Sequence, residues 1–179
     1  MRSLSSAPQV EKKYRPQYGF TLLEVMIVLA VISILTLVTV PRYAAVTEQY
    51  RLEGSARTVM ERLRYAKQLA IEQRQSVYVG LTTGDVRLLS GTSPALQGLD
   101  EPKHYATGVT FVASASTGLL SFTDVNSVSY QGLYYNWQGF VFGAGGSSAE
   151  LVIALQGRLG QTAEIHMNAL MGTPALTWP

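Results

Sequence analysis

The sequence predicts an α+β fold in which one long N-terminal helix packs on a small antiparallel β domain. Three observations predict it. Residues 20–40, FTLLEVMIVLAVISILTLVTV, form an apolar run with a single charge, Glu24. Beyond it, Leu52, Ala56, Val59, Leu63, Ala66 and Ala70 recur at alternating spacings of four and three, which puts them on one helix face. From Ser76 onward, short runs rich in β-branched and aromatic residues alternate with glycine and polar breaks, the pattern of strands and turns.

The apolar run has the length of a membrane span, since a helix crossing the hydrocarbon core needs about 20 apolar residues. It is preceded by Arg2, Lys12, Lys13 and Arg15 against one acid, Glu11. Positive charge ahead of a first span holds that end in the cytoplasm, so the chain after residue 40 is expected on the other side. An ordinary secretory signal has a shorter apolar core and small residues behind it. Here Pro41, Arg42 and Tyr43 follow the core, and the small residue stands in front of it, at Gly19. Glu24 is unusual. A charged side chain at the centre of a span costs about 2.5–3.5 kcal/mol on insertion scales, and an intramembrane acid calls for a partner.

The residues Gly19-Phe20-Thr21-Leu22-Leu23-Glu24-Val25-Met26 resemble the leader junction of type IV pilins and of the pseudopilins of type II secretion. The resemblance implies removal of residues 1–19 as a prepilin leader, by cleavage between Gly19 and Phe20. It implies N-methylation of Phe20 by the same peptidase/methyltransferase, and a role in assembly for Glu24, which matches the family's acid at the fifth mature position. Cleavage would create an α-amino group at Phe20. That cation can offset the carboxylate in low dielectric, within its own helix or in a neighbouring subunit. A plain signal anchor carrying an incidental glutamate is the alternative.

The helical pattern continues to about residue 73, giving a helix over 20–73 with its transmembrane half at 20–40 and a total length near 80 Å. Pro41 removes one backbone donor and clashes with the carbonyl of Leu37, so a kink is expected there. Gly54 is a second soft point. Glu53, Arg57 and Glu61 lie four apart and suit a solvated face. The run from Leu63 to Val77 resembles minor pilins and pseudopilins of the GspH/FimT type, in which this stretch closes the long helix and opens the first strand.

Residues 74–179 are expected to form the β-rich domain. Strands are predicted at 77–81 and 85–89 as a hairpin, then at 108–113, 119–123, 128–136, 139–142, 150–155 and 162–167, with a loop over 91–103. Gly143–Ser148 reads as a hairpin turn rather than a phosphate loop, since no Lys-Ser/Thr and no helix follow it. Residues 151–155 and 162–167 read as a last hairpin around Gly157-Arg158.

Composition narrows the function. The chain has 14 basic and 12 acidic side chains. Removing the four basic residues and one acid of 1–19 leaves ten and eleven, or −1, so the apparent basicity belongs to the leader and a nucleic-acid surface is not predicted. In some FimT-like proteins a Gly-Arg-x-Arg tail motif binds DNA; here Leu159 and Gly160 follow Arg158, and the second arginine is missing. There are no cysteines. That excludes thiol chemistry and the C-terminal disulfide of many major pilins. His104 and His166 have no partner at ligand spacing, so no metal, cofactor or catalytic constellation is predicted. Asp124 near Ser121 and Ser127 lacks a recognisable histidine. Tyr130, Tyr134, Tyr135 and Trp137 are expected to pack a core or a subunit contact, with a glycan patch as the alternative.

The expected function is that of a structural subunit, not an enzyme. It is a minor pilin or pseudopilin held by one span in the inner membrane of a bacterium, with its C-terminal domain outside, before it enters a type II secretion pseudopilus or a type IV pilus. The implied partners are the prepilin peptidase, other pilins or pseudopilins, and the inner-membrane assembly platform. A filament-tip binding module for DNA uptake or adhesion is the competing reading.

Overall fold

Alanine, leucine and unbranched charged and amide residues favour helix over residues 44–73. In the computed structural model, which describes residues 19–92, 95–146, 150–168 and 172–178, one α-helix, α1, spans Leu22–Gln73 and includes Pro41. Two compact units divide it: one ends at Pro41 and the other begins at Arg42. Residues 1–18, expected to belong to a removed leader, lie outside the described residues.

Among the described residues of the first unit, none of the large apolar side chains belongs to the buried core. Large residues from Phe20 to Val40 are exposed, Leu22 at 79% and Leu37 at 79%. Three of its hydroxyls are satisfied locally. Ser33, Thr36 and Thr39 donate their hydroxyls to the carbonyls of Leu29, Ile32 and Leu35, each at 2.8 Å. Hydroxyls bonded back to the helix do not need water, which suits an apolar surround.

The second unit holds two antiparallel sheets and the remainder of α1. Strands β1 (Val77–Leu81), β2 (Asp85–Ser90), β3 (Gln97–Gly98), β4 (Lys103–His104), β6 (Leu120–Thr123), β7 (Ser129–Tyr135) and β8 (Val141–Phe142) form the first sheet. Its order is β3-β2-β1-β7-β6, with β4 paired to β2 and β8 to β7. The second sheet runs β11 (Pro174–Thr177), β10 (Thr162–Met167), β9 (Leu151–Gln156), β5 (Thr110–Phe111). A single 3-10 turn at Ala113–Ala115 follows β5.

One core joins all three layers. The six residues of the predicted helical stripe, from Leu52 to Ala70, are fully buried and cluster with Val77, Val79, Leu133 and Tyr135 of the first sheet and Ile153 and Ile165 of the second. Burial of each large aliphatic side chain is worth about 1.5–3 kcal/mol. Alanine at three stripe positions brings the helix backbone close to the strands. Strand periodicity places Val77, Val79 and Leu81 inward and Tyr78 and Gly80 outward. Gly80 pairs with Gly132 across β1 and β7. A Cβ on Gly132 would overlap the Val79 carbonyl, and one on Gly80 would strike the Tyr130 ring, so both positions require glycine.

Three parts of the domain differ from the sequence expectation. Residues 139–142 and 150–155 are not a hairpin: β8 pairs with β7 in the first sheet and β9 with β10 in the second, so the glycine-rich segment between them passes from one sheet to the other. Within it Gly143 and Gly146 form a single bridge, while residues 147–149 lie outside the described set. The loop over 91–103 contributes the two short edge pieces β3 and β4. Finally, β10 has a further partner in β11, whose register pairs Met167 with Pro174 and Glu164 with Thr177.

Candidate processing and assembly site

The residues singled out at the head of the chain lie at the start of α1. Gly19, Phe20 and Thr21 precede the helix in non-helical conformation. A Cβ on Gly19 would meet no atom within 4 Å among the described residues, and Phe20 is 81% exposed. Nothing in the described packing requires glycine at position 19.

Thr21 was not singled out by sequence reasoning, and it shapes the site. Its Oγ1 accepts the backbone N–H of Glu24 at 3.2 Å, and its carbonyl accepts the N–H of Val25 at 3.3 Å. Thr21 is thus the N-cap of α1, and Glu24 sits three residues on, in the first turn. The signal was available: Thr-Leu-Leu-Glu fits the Thr-x-x-Glu capping pattern that opens many helices. An acid there also faces the positive end of the helix dipole, worth about 0.3–1 kcal/mol at exposed sites. Glu24 therefore has a local structural rationale besides any role in assembly.

Pro41 lies inside α1, at the boundary between the two units. The helix is long and apolar enough to cross a membrane, with its most apolar window wholly unburied by the protein.

The remaining candidates lie in the β domain, and the structure separates them. Asp124 is buried at the turn between β6 and β7. It accepts the N–H groups of Asn126 at 2.8 Å and Val128 at 2.9 Å, and the Tyr130 hydroxyl at 3.3 Å, with Arg87 at 4.0 Å. Burial pushes its carboxyl up, but these donors outweigh burial and hold it below the ordinary value. The two backbone contacts fix the turn and the Tyr130 and Arg87 contacts tie it to the sheet; among the described residues no histidine joins them.

His166 is not alone. Its Nδ1 lies 3.1 Å from Glu150 and its Nε2 lies 3.2 Å from Glu164, two residues back on the same strand face. Hydrogen bonds to Glu150 and then Glu164 raise its pKa. The i, i+2 spacing on a strand was the missed signal for Glu164; Glu150 is brought in by the β9–β10 pairing. The two acids engage opposite ring nitrogens. Among the described residues no group of three or more His, Asp or Glu side chains is placed to hold a metal ion.

The aromatic residues of β7 do not share one surface. Tyr135 is in the core, and Tyr130 is buried on the opposite face over Gly80. Trp137 is 56% exposed in the turn after β7. Tyr134 stacks on Phe142 at 5.0 Å and 9° and packs on Tyr78 at 5.0 Å and 32°. Cross-strand ring pairs of this kind stabilise neighbouring strands.

Comparison with known proteins agrees at both ends of the chain. Residues 14–40 match the prokaryotic N-terminal methylation motif. The structure is similar to the crystal structure of the type IV minor pilin FimU of Pseudomonas aeruginosa, with a TM-score of 0.51, covering 74% of this chain and 91% of that one at 12% identity. No curated protein matches the chain significantly. The fold is a pilin fold. A long helix enters an antiparallel β domain through a buried stripe, and a methylation motif stands at its head.

Proposed function

We propose that the chain is a minor pilin-type structural subunit, made as a precursor, cleaved between Gly19 and Phe20, methylated on Phe20 and assembled with other pilins or pseudopilins through its apolar helix. The observation that carries this reading is the exposed, non-helical Gly19–Phe20 junction directly ahead of a capped apolar helix with one acid in its first turn. A peptidase needs an accessible backbone outside a helix, and Gly19 and Phe20 are exposed and non-helical. After cleavage, the new amine at Phe20 lies close in sequence to Glu24, and a carboxylate in low dielectric is stabilised by such a cation.

The same reading holds the subunit in the inner membrane by residues 20–40, with its β domain on the far side, until an assembly platform draws it into a filament. Pro41 is then a soft point at which α1 can bend or loosen as neighbouring helices pack. The run from Leu63 to Val77 supports a GspH/FimT-type subunit, in either a type II secretion pseudopilus or a type IV pilus. The role is structural, with no reaction assigned to the β domain. Mass spectrometry of the membrane-extracted protein is expected to give an N-terminus at a methylated Phe20; an intact Met1, or a cut beyond residue 40, refutes the reading. Glu24→Ala is expected to be cleaved normally yet to enter filaments several-fold less well, measured by immunoblotting sheared filaments. Incorporation equal to the parent chain refutes the role of Glu24.

A further inference from the structure

The turn between β9 and β10, Gly157–Gly160, lies beside the part of α1 that follows the apolar run. A Cβ on Gly157 would meet Leu52 at 3.8 Å. A Cβ on Gly108, in the loop before β5, would lie 3.5 Å from Arg158 Cβ and 3.6 Å from Glu48 Oε2. The turn is therefore seated against residues 48–52. Glu48 lies six residues after Arg42, about 9 Å along the helix. Arg42 is in turn separated from the apolar run by Pro41 alone.

The tip carries an exposed arginine and an exposed leucine, Arg158 and Leu159, the latter 59% accessible. That leucine belongs to neither core cluster of the described residues. On α1, Tyr43 and Tyr50 are 74% and 70% exposed. They lie seven residues apart, on one side of the helix, while Leu52 faces the core about half a turn away from Tyr43. Basic residues outnumber acids at this level: Arg42, Arg51 and Arg158 stand against Glu48, which pairs with Arg51 at 2.9 Å. Tyrosines, arginines and a lone aliphatic side chain therefore surround the helix on more than one side, just beyond an apolar span. That is the composition of a membrane-interface belt, in which phenols sit at headgroup level and arginines meet lipid phosphates.

We propose that this collar, with the Arg158–Leu159 tip as its outermost part, rests on the surface of an anionic phospholipid bilayer while the subunit is stored in the membrane, with Leu159 entering the headgroup layer. The inference rests on the membrane-anchored reading above. The net basic charge and the continuity with residues 20–40 select lipid over a second protein as the occupant.

The chain has no cysteine, so single probes can be placed without background. The full chain, carrying Leu159→Cys or, as a control, Gln138→Cys with an environment-sensitive fluorophore, is reconstituted in phosphatidylcholine vesicles with or without phosphatidylglycerol. Gln138 lies in the turn beside Ile71, some 44 Å farther along α1 from Arg42 by helical rise. The Leu159 probe is expected to be several-fold less accessible to acrylamide than the Gln138 probe, and to be quenched by headgroup-labelled lipid. Adding Arg158→Glu, or omitting phosphatidylglycerol, is expected to reopen it. Equal acrylamide access at the two sites overturns the proposal. So does shielding that grows with the protein-to-lipid ratio, which marks contact between copies. A chain released from vesicles by carbonate overturns the membrane anchor as well, whereas a retained chain with an open tip overturns this inference alone.

Discussion

The two halves of α1 belong to one continuous helix but differ in how their apolar residues are arranged and in what covers them. From Leu22 to Val40 large apolar side chains are exposed on every side, and no part of the described chain covers them. From Leu52 to Ala70 only one stripe is apolar, and it is fully buried against two sheets. A helix apolar all round needs an apolar surround, whereas a helix with one apolar stripe needs only one packed neighbour. The stability of the domain therefore depends on the second half.

Truncations break this comparison most directly. Leu63→Ala is expected to destabilise the β domain by about 2–5 kcal/mol, because it leaves a cavity between the helix and both sheets. Leu29→Ala, exposed in the first half, is expected to shift the same thermal unfolding transition by less than about 0.5 kcal/mol. Equal effects would mean that the halves are not independent.

Arg62 gives a smaller effect. It forms an ion pair with Asp100, and both side chains are largely shielded from solvent. Arg62→Ala strands the carboxylate and is expected to destabilise by about 1–3 kcal/mol in urea unfolding, since a partly buried charge loses its donor. Gly54 sharpens the comparison in the other direction. A Cβ there meets nothing within 4 Å. Gly54→Ala is expected to stabilise by up to about 1 kcal/mol and to raise the melting temperature. A loss instead would show that close packing at this point, outside the isolated chain, needs glycine.

The smallest effect is in pH dependence. The pKa of His166 is raised by Glu150 and Glu164, so its contribution is present in full below the ordinary histidine value and fades as pH rises through the folded value. Partial exposure keeps it under about 1 kcal/mol. His166→Gln is expected to flatten the stability profile between about pH 6 and 8, where histidine titrates, and to leave the acid limb unchanged. There Asp124 acts with the opposite sign: its contribution is present above the ordinary aspartate value and is lost as pH falls through its depressed one.

Periodicity made much of this fold legible. The stripe from Leu52 to Ala70 is buried at every position, because a spacing of four and three leaves only one face to pack. The 77–81/85–89 hairpin and the β9–β10 pairing followed from alternation and glycine turns. Periodicity says nothing about which strands share a sheet, and so β8 and β9 were joined as a hairpin when they belong to different sheets. Strand β11 was invisible because Pro174–Thr177 is short and has no alternating pattern; it forms by completing the ladder of β10. His166 looked solitary because Glu150 reaches it only through strand pairing.

The sequence by itself determined the head of the molecule: a basic segment, a small residue before an apolar run, one acid, and a helix long and apolar enough to cross a membrane. Those features are local and covalent, so linear order suffices to state them. Only the tertiary structure decided where the domain's side chains meet: the Gly80–Gly132 contact, the burial of Asp124 in its turn, the Glu150–His166–Glu164 group, and the seating of the Arg158–Leu159 tip beside Glu48 and Leu52. Each depends on contacts between residues far apart in the chain. Such contacts are set by sheet register and by packing on α1, which no single segment encodes.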